Sequence, residues 1–262
     1  MSLILAGVVR TVRSEAQMAG LQRQAAIAGT KADAAILLAL QALHAEQKEL
    51  PKGLRTMAVE FDGASLQVQV SALNGLIDLN SAPVALLTDL YLVAAGMNLQ
   101  AAEALAQATL DTRQHKNAKK IEQGFEAVAD LMRVPSMSYD LYAKVADLVT
   151  TDIRSGSGRV NPLAAPLNVL LVLTAGNVAR ATQFMSQRDS DPTTLDSTFF
   201  KPESIEMAAS NSLKFQADVG LPDGATLQKT WLIYWSPDPR SDLPWRVLGK
   251  RQLVLTRVPA DQ

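Results

Sequence analysis

The sequence predicts an α+β protein: a long N-terminal helix packed on a small antiparallel sheet, with a large all-helical insertion between the strands. Three observations carry this expectation. Residues 3–46 contain no proline and are rich in alanine, the composition of a helix. Alternating apolar and polar residues occur in 57–70 and again in 213–255, as half-buried strands require. Between them, Gly75-Leu76-Ile77-Asp78-Leu79-Asn80-Ser81-Ala82-Pro83 returns in altered form as Gly158-Arg159-Val160-Asn161-Pro162-Leu163-Ala164-Ala165-Pro166. Each copy leads into an apolar helical stretch. The domains expected are the helix 1–49, a β-domain from 50–70 with 205–262, and an inserted helical domain 71–204.

The first segment reads as one continuous helix rather than two broken at Gly29-Thr30, because an isolated glycine costs a helix only about 1 kcal/mol. Small residues crowd it (Gly7, Ala16, Ala19, Gly20, Ala25, Ala26, Ala28 and Gly29), and small side chains allow close approach by a neighbour. Ile36, Leu37, Leu40 and Leu43 fall at helical spacing and predict a core-facing stripe. Such length predicts a helix that extends beyond the domain it serves. Pro51-Lys52-Gly53 ends it. Met57–Phe61 and Leu66–Val70, joined through Asp62-Gly63, form a hairpin, since Asp-Gly accepts the positive φ values of a tight turn.

In the paired frame the chemistry is that of a helix start. Asn or Ser accepts from orphan N–H groups, and Pro lacks a donor that the first turn would waste. Asn80, Pro83, Asn161 and Pro166 are therefore the candidate insert helix starts. Further helices are expected over Asn98–Arg113, Phe125–Met132 and Tyr139–Val145. Ala94-Ala95-Gly96-Met97-Asn98 and Val134-Pro135-Ser136-Met137-Ser138 both resemble the hairpin of a helix-hairpin-helix unit. In DNA-binding versions two glycines let backbone N–H groups reach phosphate. Here only Gly96 stands at such a position, and Ser adopts left-handed geometry poorly, so the hairpins read as packing devices. After Pro202 the chain reverts to strands at 213–219, 230–235, 245–248 and 253–255, about five in all with the hairpin. The three tryptophans among them are expected to pack on the sheet.

Composition narrows function. The chain has 262 residues, 48% of them hydrophobic and 19% charged, which predicts a packed core. A net charge of −1 offers no general attraction to nucleic acid or anionic lipid. The absence of cysteine excludes disulfides and thiolate chemistry. No stretch reaches the roughly 20 apolar residues of a membrane span; Leu3–Val9 reads as the tail of something longer. Arg113–Lys120 reads as a solvated basic loop, and His44 and His115 as partnerless surface residues. Asp189, Asp191 and Asp196 are weak calcium candidates without EF-hand spacing. No phosphate loop, zinc motif or nucleophile elbow occurs, so no catalytic residues are assigned and no cofactor is expected.

The order of these parts resembles the K-type minor pseudopilin of the bacterial type II secretion system (general secretion pathway protein K). The matching residues are Ala6-Gly7-Val8-Val9-Arg10 with Glu15-Ala16, Ile77–Pro83 with Leu86-Leu87, and the hairpin at Gly96-Met97. They continue through Asp130-Leu131, Val134, Met137, Leu141-Tyr142, Val160-Asn161, and Ala165-Pro166 with Val169-Leu170. The resemblance implies a pseudopilin fold and a non-enzymatic subunit of the periplasmic pseudopilus. It further implies anchoring in the bacterial inner membrane through an N-terminal segment of which most is missing here. The insert would cap the tip of the pseudopilus. The helix, through Val8, Val9, Val12, Ala16, Ala19, Ala26 and Ile27, would join I-type and J-type minor pseudopilins, with no nucleic-acid partner. The alternative is a DNA-binding helix-hairpin-helix protein of the competence type, which shares the Leu-Asn-Ser/Thr-Ala start.

Overall fold

The computed structural model describes residues 2–46, 50–115, 124–153, 156–190, 195–238 and 241–255, with side chains of the first helix described at Glu15 and from Met18 onward. The chain divides into two units. One comprises Met1–Lys48, Arg55–Val70 and Lys214–Gln262, the other Glu49–Leu54 and Ser71–Leu213. This division gives 205–213 to the second unit.

The first unit is a long N-terminal helix on a small antiparallel sheet. Helix α1 runs unbroken over Ser2–Ala45. The glycine at position 29 is buried where the helix meets the sheet, and a Cβ there would lie 3.1 Å from Gln252 Oε1. The buried stripe is Ala28, Ala32, Ala35, Ile36, Ala39, Leu40 and Leu43. Its three- and four-residue spacing makes one face, and its alanines let the helix lie close to the strands. Leu37, expected in this stripe, is exposed.

The sheet runs, edge to edge, through β1 (Arg55–Phe61), β2 (Ala64–Ala72), β5 (Ser212–Gly220), β6 (Thr226–Tyr234) and β7 (Arg246–Leu255). Strands β1 and β2 form the expected hairpin. Their last pair is Phe61 with Ala64, and Asp62 and Gly63 turn at φ 53° and 70°, both positive as a type I′ turn demands. Strands β5 and β6 follow after the second unit. The last strand, β7, corrects the expected separate runs 245–248 and 253–255. Gly249–Gln252 continue it, because an edge strand with exposed side chains does not need apolar alternation to persist. Trp231 donates through Nε1 to Asp33 Oδ1 of α1 at 2.9 Å, tying β6 to the helix.

The second unit begins, after the short segment 49–54, beyond β2. Its main helices are α2 (Val84–Val93), α3 (Leu99–Gln114), α4 (Tyr139–Val145), α5 (Leu167–Leu173) and α6 (Val178–Ser190). It is not all-helical, which corrects the expectation. Strand β3 (Ile77–Asp78) pairs in parallel with β4 (Val149–Thr150), and Val160 bridges Ile205 in parallel. The segment 128–133 is a 3-10 turn rather than an α-helix.

These departures reveal a repeat larger than the nine-residue frame. In each half a frame leads to a helix, a hairpin and a second helix. The chain then passes a three-residue 3-10 turn, Ala146–Leu148 or Pro202–Ser204, immediately before the residue that bridges back to the frame. Near the end of the second helix an arginine returns to the frame. Arg113 Nη1 donates to the carbonyls of Leu79 and Ala82 at 3.1 and 2.7 Å. Arg188 Nη1 donates to those of Pro162 and Ala165 at 3.3 and 2.7 Å. These are the same two frame positions in each copy. The glycines are exchanged: a Cβ on Gly75 would lie 2.4 Å from the Ala164 carbonyl, and one on Gly158 would lie 2.1 Å from that of Ser81. Gly75 and Gly158 each open a frame, and Ser81 and Ala164 are the seventh residues of the opposite frames.

Charged hydrogen bonds to carbonyls contribute about 1.5–3 kcal/mol each. Arg113→Ala and Arg188→Ala are each expected to lower unfolding free energy by at least about that much in urea titration, and lysine at either position to restore less than half, since its flexible, strongly hydrated ammonium replaces a planar preorganised group. Gly158→Ala combines a positive φ with a backbone collision and is expected to cost about 3 kcal/mol or more. Gly96→Ala, at φ 70° with nothing within 4 Å, is expected to lose only the roughly 1–2 kcal/mol of left-handed strain. Equal losses at the two glycines would refute the close-approach argument.

Candidate functional site

On α1 the residues expected to join partners are, where described, surface residues. Ala19 and Ala26 are exposed, and Ile27 is 47% exposed. Met18 and Leu21 add further exposed apolar surface at 57% and 45%. Side chains of Val8, Val9, Val12 and Ala16 lie outside the described residues, although their backbone belongs to α1. Burial on the sheet starts at Ala28, so Met18–Gln24 has no buried side chain. Beside Ile27, a shallow groove of about 430 Å³ is lined by Thr30, Lys31, Phe61 and Asp62. Lys31 and Asp62 close one side of it as an ion pair at 2.9 Å. That contact, first through the lysine's hydrogen bond and then its charge, holds the Asp62 carboxyl below the usual range.

The same helix corrects one reading of the sequence. Met18–Ala45 is long and apolar enough to cross a membrane by length and composition. Arg23, Lys31 and Asp33 interrupt it, so no unbroken run stands out. One face of this stretch is also the core stripe of the first unit, and a core helix has the same composition.

In the second unit the Ala-Pro steps do open helices, with Pro83 and Pro166 at the residue before the first helical one. Their carbonyls, not a side chain, receive the first N–H groups: Leu86 and Leu87 donate to Pro83, Val169 and Leu170 to Pro166. The asparagines are not caps, which corrects their expected role. Asn80 instead clasps the backbone of Phe125, donating through Nδ2 to its carbonyl at 2.9 Å and accepting from its N–H at 2.7 Å. Asn161 is fully buried; its Nδ2 donates to the carbonyls of Lys52 and Ala208, and its Oδ1 accepts from Leu163 N–H.

The counterpart of Asn161 is therefore Asp78, at the fourth position of the first frame. Asp78 Oδ1 accepts from Asn80 N–H at 3.1 Å, two residues on, as Asn161 does from Leu163. Its Oδ2 accepts from the Ser81 hydroxyl. Asp78 is 5% exposed and lines a polar cavity of about 150 Å³ with Asn74, Gly158, Arg159 and Glu206. Burial pushes its carboxyl above the usual range, against the opposing pull of Ser81, the Asn80 N–H and the charge of Arg113.

The hairpins share one geometry. Gly96 and Ser136 stand at φ 70° and 71°, each followed by a core-packed methionine, Met97 or Met137. Asn98 and Ser138 then cap α3 and α4 by accepting from Ala101 and Leu141 N–H. Ser136 thus adopts the geometry that serine was expected to resist. Sequence reading missed a third hairpin, where Gly176 stands at φ 82° and Asn177 accepts from Arg180 N–H. Its signal was the Gly-Asn pair after an apolar run.

Of the calcium candidates, Asp189 pairs with Arg188 at 3.0 Å and Asp196 accepts from the Thr198 hydroxyl and N–H. Those Thr198 bonds keep the Asp196 carboxyl below its ordinary range. Asp191 lies outside the described residues, as do residues 116–120 of the basic loop. Among the described residues no group of three or more His, Asp or Glu is placed to hold a metal ion. His44 is not partnerless: its ring lies 6.2 Å from those of both Trp235 and Trp245, which stack on each other at 5.6 Å.

No protein-family profile matches the chain, and no curated protein matches it.

Folding raises the Asp78 carboxyl above its unfolded value. Its contribution to stability is therefore complete below the unfolded pKa and is lost as pH rises through the folded one. Asp78→Asn, which copies Asn161, removes that loss. Thermal unfolding is expected to show the variant melting at or above the parent at neutral pH, with the two curves converging near about pH 3, where the parent carboxyl is protonated. Parallel pH profiles would refute the assignment.

Proposed function

We propose that this chain is a non-enzymatic structural subunit of a type II secretion pseudopilus, of the K-type minor pseudopilin kind. It joins its partners through α1 and caps the tip through the unit carried between β2 and β5. The observation that carries this reading is the contrast along α1, where Ala28–Leu43 packs on the sheet and Met18–Gln24 has every side chain exposed. A helix that gives one stretch to its own core and leaves Met18–Gln24 bare suits lateral packing with like helices. Subunit addition of that kind requires a small head. A head enlarged by the residues 71–213 stops the next layer and ends the filament. The reading includes a pseudopilin fold, inner-membrane anchoring at the N-terminus and a periplasmic location for the bulk of the chain. The apolar composition of Met18–Ala45 is compatible with an N-terminal anchor, although Ala28–Leu43 of it packs on the sheet.

The test is reconstitution with I-type and J-type minor pseudopilins. The full chain is expected to co-elute with them in size-exclusion chromatography. Ile27→Glu and Ala19→Glu are expected to weaken assembly at least about tenfold, or about 1.4 kcal/mol, while leaving thermal unfolding unchanged. Absence of a complex, or a complex indifferent to both substitutions, would refute the reading.

The positive-φ hairpins followed by capped helices favour one second reading, DNA binding of the competence type. A gel-shift titration at low salt decides it. Tight binding that falls steeply with salt would establish this alternative.

A further inference from the structure

The exposed edge of the first unit's sheet carries a recognition pattern of its own, independent of the functional reading above. At ten residues β7 is the longest strand of the sheet, and it ends the strand order. Among the described residues no strand pairs with its outer edge. Alternate residues of an edge strand turn N–H and C=O away from their only neighbour, so β7 presents a row of open donors and acceptors.

Such edges are ordinarily blunted by bulges, inward charges or proline. The first half of β7 has such a device, since a register shift against β6 falls between Leu232 and Ile233, opposite Gly249 and Val247. The second half has only its two charges, Lys250 and Arg251, which repel a like-charged edge but attract a segment of opposite charge. Leu253, Val254 and Leu255 are 45–49% exposed, and Lys250 and Arg251 before them are exposed.

Cross-strand pairing assigns the faces. Trp231 opposes Lys250 and Lys229 opposes Gln252. Trp231 and Lys229 both reach Asp33 of α1, which puts Lys250, Gln252 and Val254 on the helix side. Arg251, Leu253 and Leu255 are on the other side by the two-residue period. The ammonium of Lys250 lies 3.5 Å from the centroid of the Trp231 ring. Among the described residues no carboxylate forms an ion pair with Lys250 or Arg251. One positive charge therefore stands on each face at the same level of the strand, followed by three apolar positions.

We propose that the Lys250–Leu255 edge of β7 binds an extended acidic segment of a partner protein as a sixth strand. Main-chain hydrogen bonds hold that segment, and alternate side chains select it. Its recognition pattern is two adjacent carboxylates, which straddle the strand to meet Lys250 and Arg251, beside three β-forming apolar residues that cover Leu253–Leu255.

The test uses the full chain and two blocked peptides of alternating valine and threonine, one with two adjacent glutamates and one with two adjacent lysines in their place. Amide hydrogen exchange is read by NMR. The glutamate peptide is expected to slow exchange of alternate β7 amides between Lys250 and Leu255 by about tenfold or more. The lysine peptide should leave them unchanged, and Arg251→Glu, a surface substitution, should weaken or reverse the preference. Equal protection by both peptides would reduce the edge to non-selective apolar adhesion and overturn the proposal. No protection by either peptide would overturn it too. Protection of the same amides in the peptide-free protein also overturns it: independent of concentration it assigns the edge to the chain's own residues, and rising with concentration to a second copy.

Discussion

Close backbone approach between the two frames is the constraint on which the second unit depends. Gly75 and Gly158 each lie where a methyl group would meet the carbonyl of the opposite frame's seventh residue. Contact at this distance leaves no space for side chains, so specificity falls to the groups around it. Asp78 and Asn161 fold their frames back through the same two-residue turn, and Arg113 and Arg188 close them by binding the carbonyls on either side. Carbonyls at the end of a frame lack regular secondary-structure partners, and a buried carbonyl without one is costly. A guanidinium that reaches two of them at once satisfies both with one preorganised group.

The two halves are alike in plan and unlike in chemistry. Where one frame has Asp78, Leu79 and Ser81, the other has Asn161, Pro162 and Ala164. The acidic version is the more strained, since its buried carboxyl is pushed toward protonation while the amide at the equivalent site satisfies its surroundings neutrally. The first half also carries an extra hairpin, ending in α4, that has no counterpart among the described residues of the second. Around both, one apolar cluster forms the core of the unit. Tyr91 and Thr109 meet at its interior with their hydroxyls 2.8 Å apart, and Phe184 meets Phe200 edge to face at 4.8 Å.

In the first unit the economy of small residues has a different use. Among the described residues alanine occupies four of the eight buried positions of α1 and glycine a fifth, which brings the helix axis near the strands but gives little apolar area per residue. The larger contributions come from Ile36, Leu40 and Leu43 on the helix and from Phe215, Trp231 and Ile233 on the sheet. Polar ties supplement them: Asp33 receives both the indole N–H of Trp231 and the ammonium of Lys229, and Arg55 grips Glu46 with two hydrogen bonds where helix and first strand meet. The bare portion of α1 and the open edge of β7 belong to this unit, and both offer surface suited to other chains.

Local chemistry sufficed for the elements whose signals are contained within a few residues. The Asp62-Gly63 turn is of this kind, as are the unbroken helix, the Ala-Pro starts and the α+β order of helix, hairpin, helical middle and strand-rich end. Each depends on φ preferences or apolar periodicity that neighbours in sequence already display. Tertiary structure alone decided the partners. Asn80 carries the mark of a helix cap, yet it binds Phe125, forty-five residues away. Arg113 looks like the first residue of a solvated loop, yet it turns back to a frame thirty-one residues earlier. Asp78 became the counterpart of Asn161 only when both were seen to make the same turn. Hydrogen-bonding side chains have many acceptable partners, and the one they take is set by which backbone groups folding leaves unsatisfied within reach.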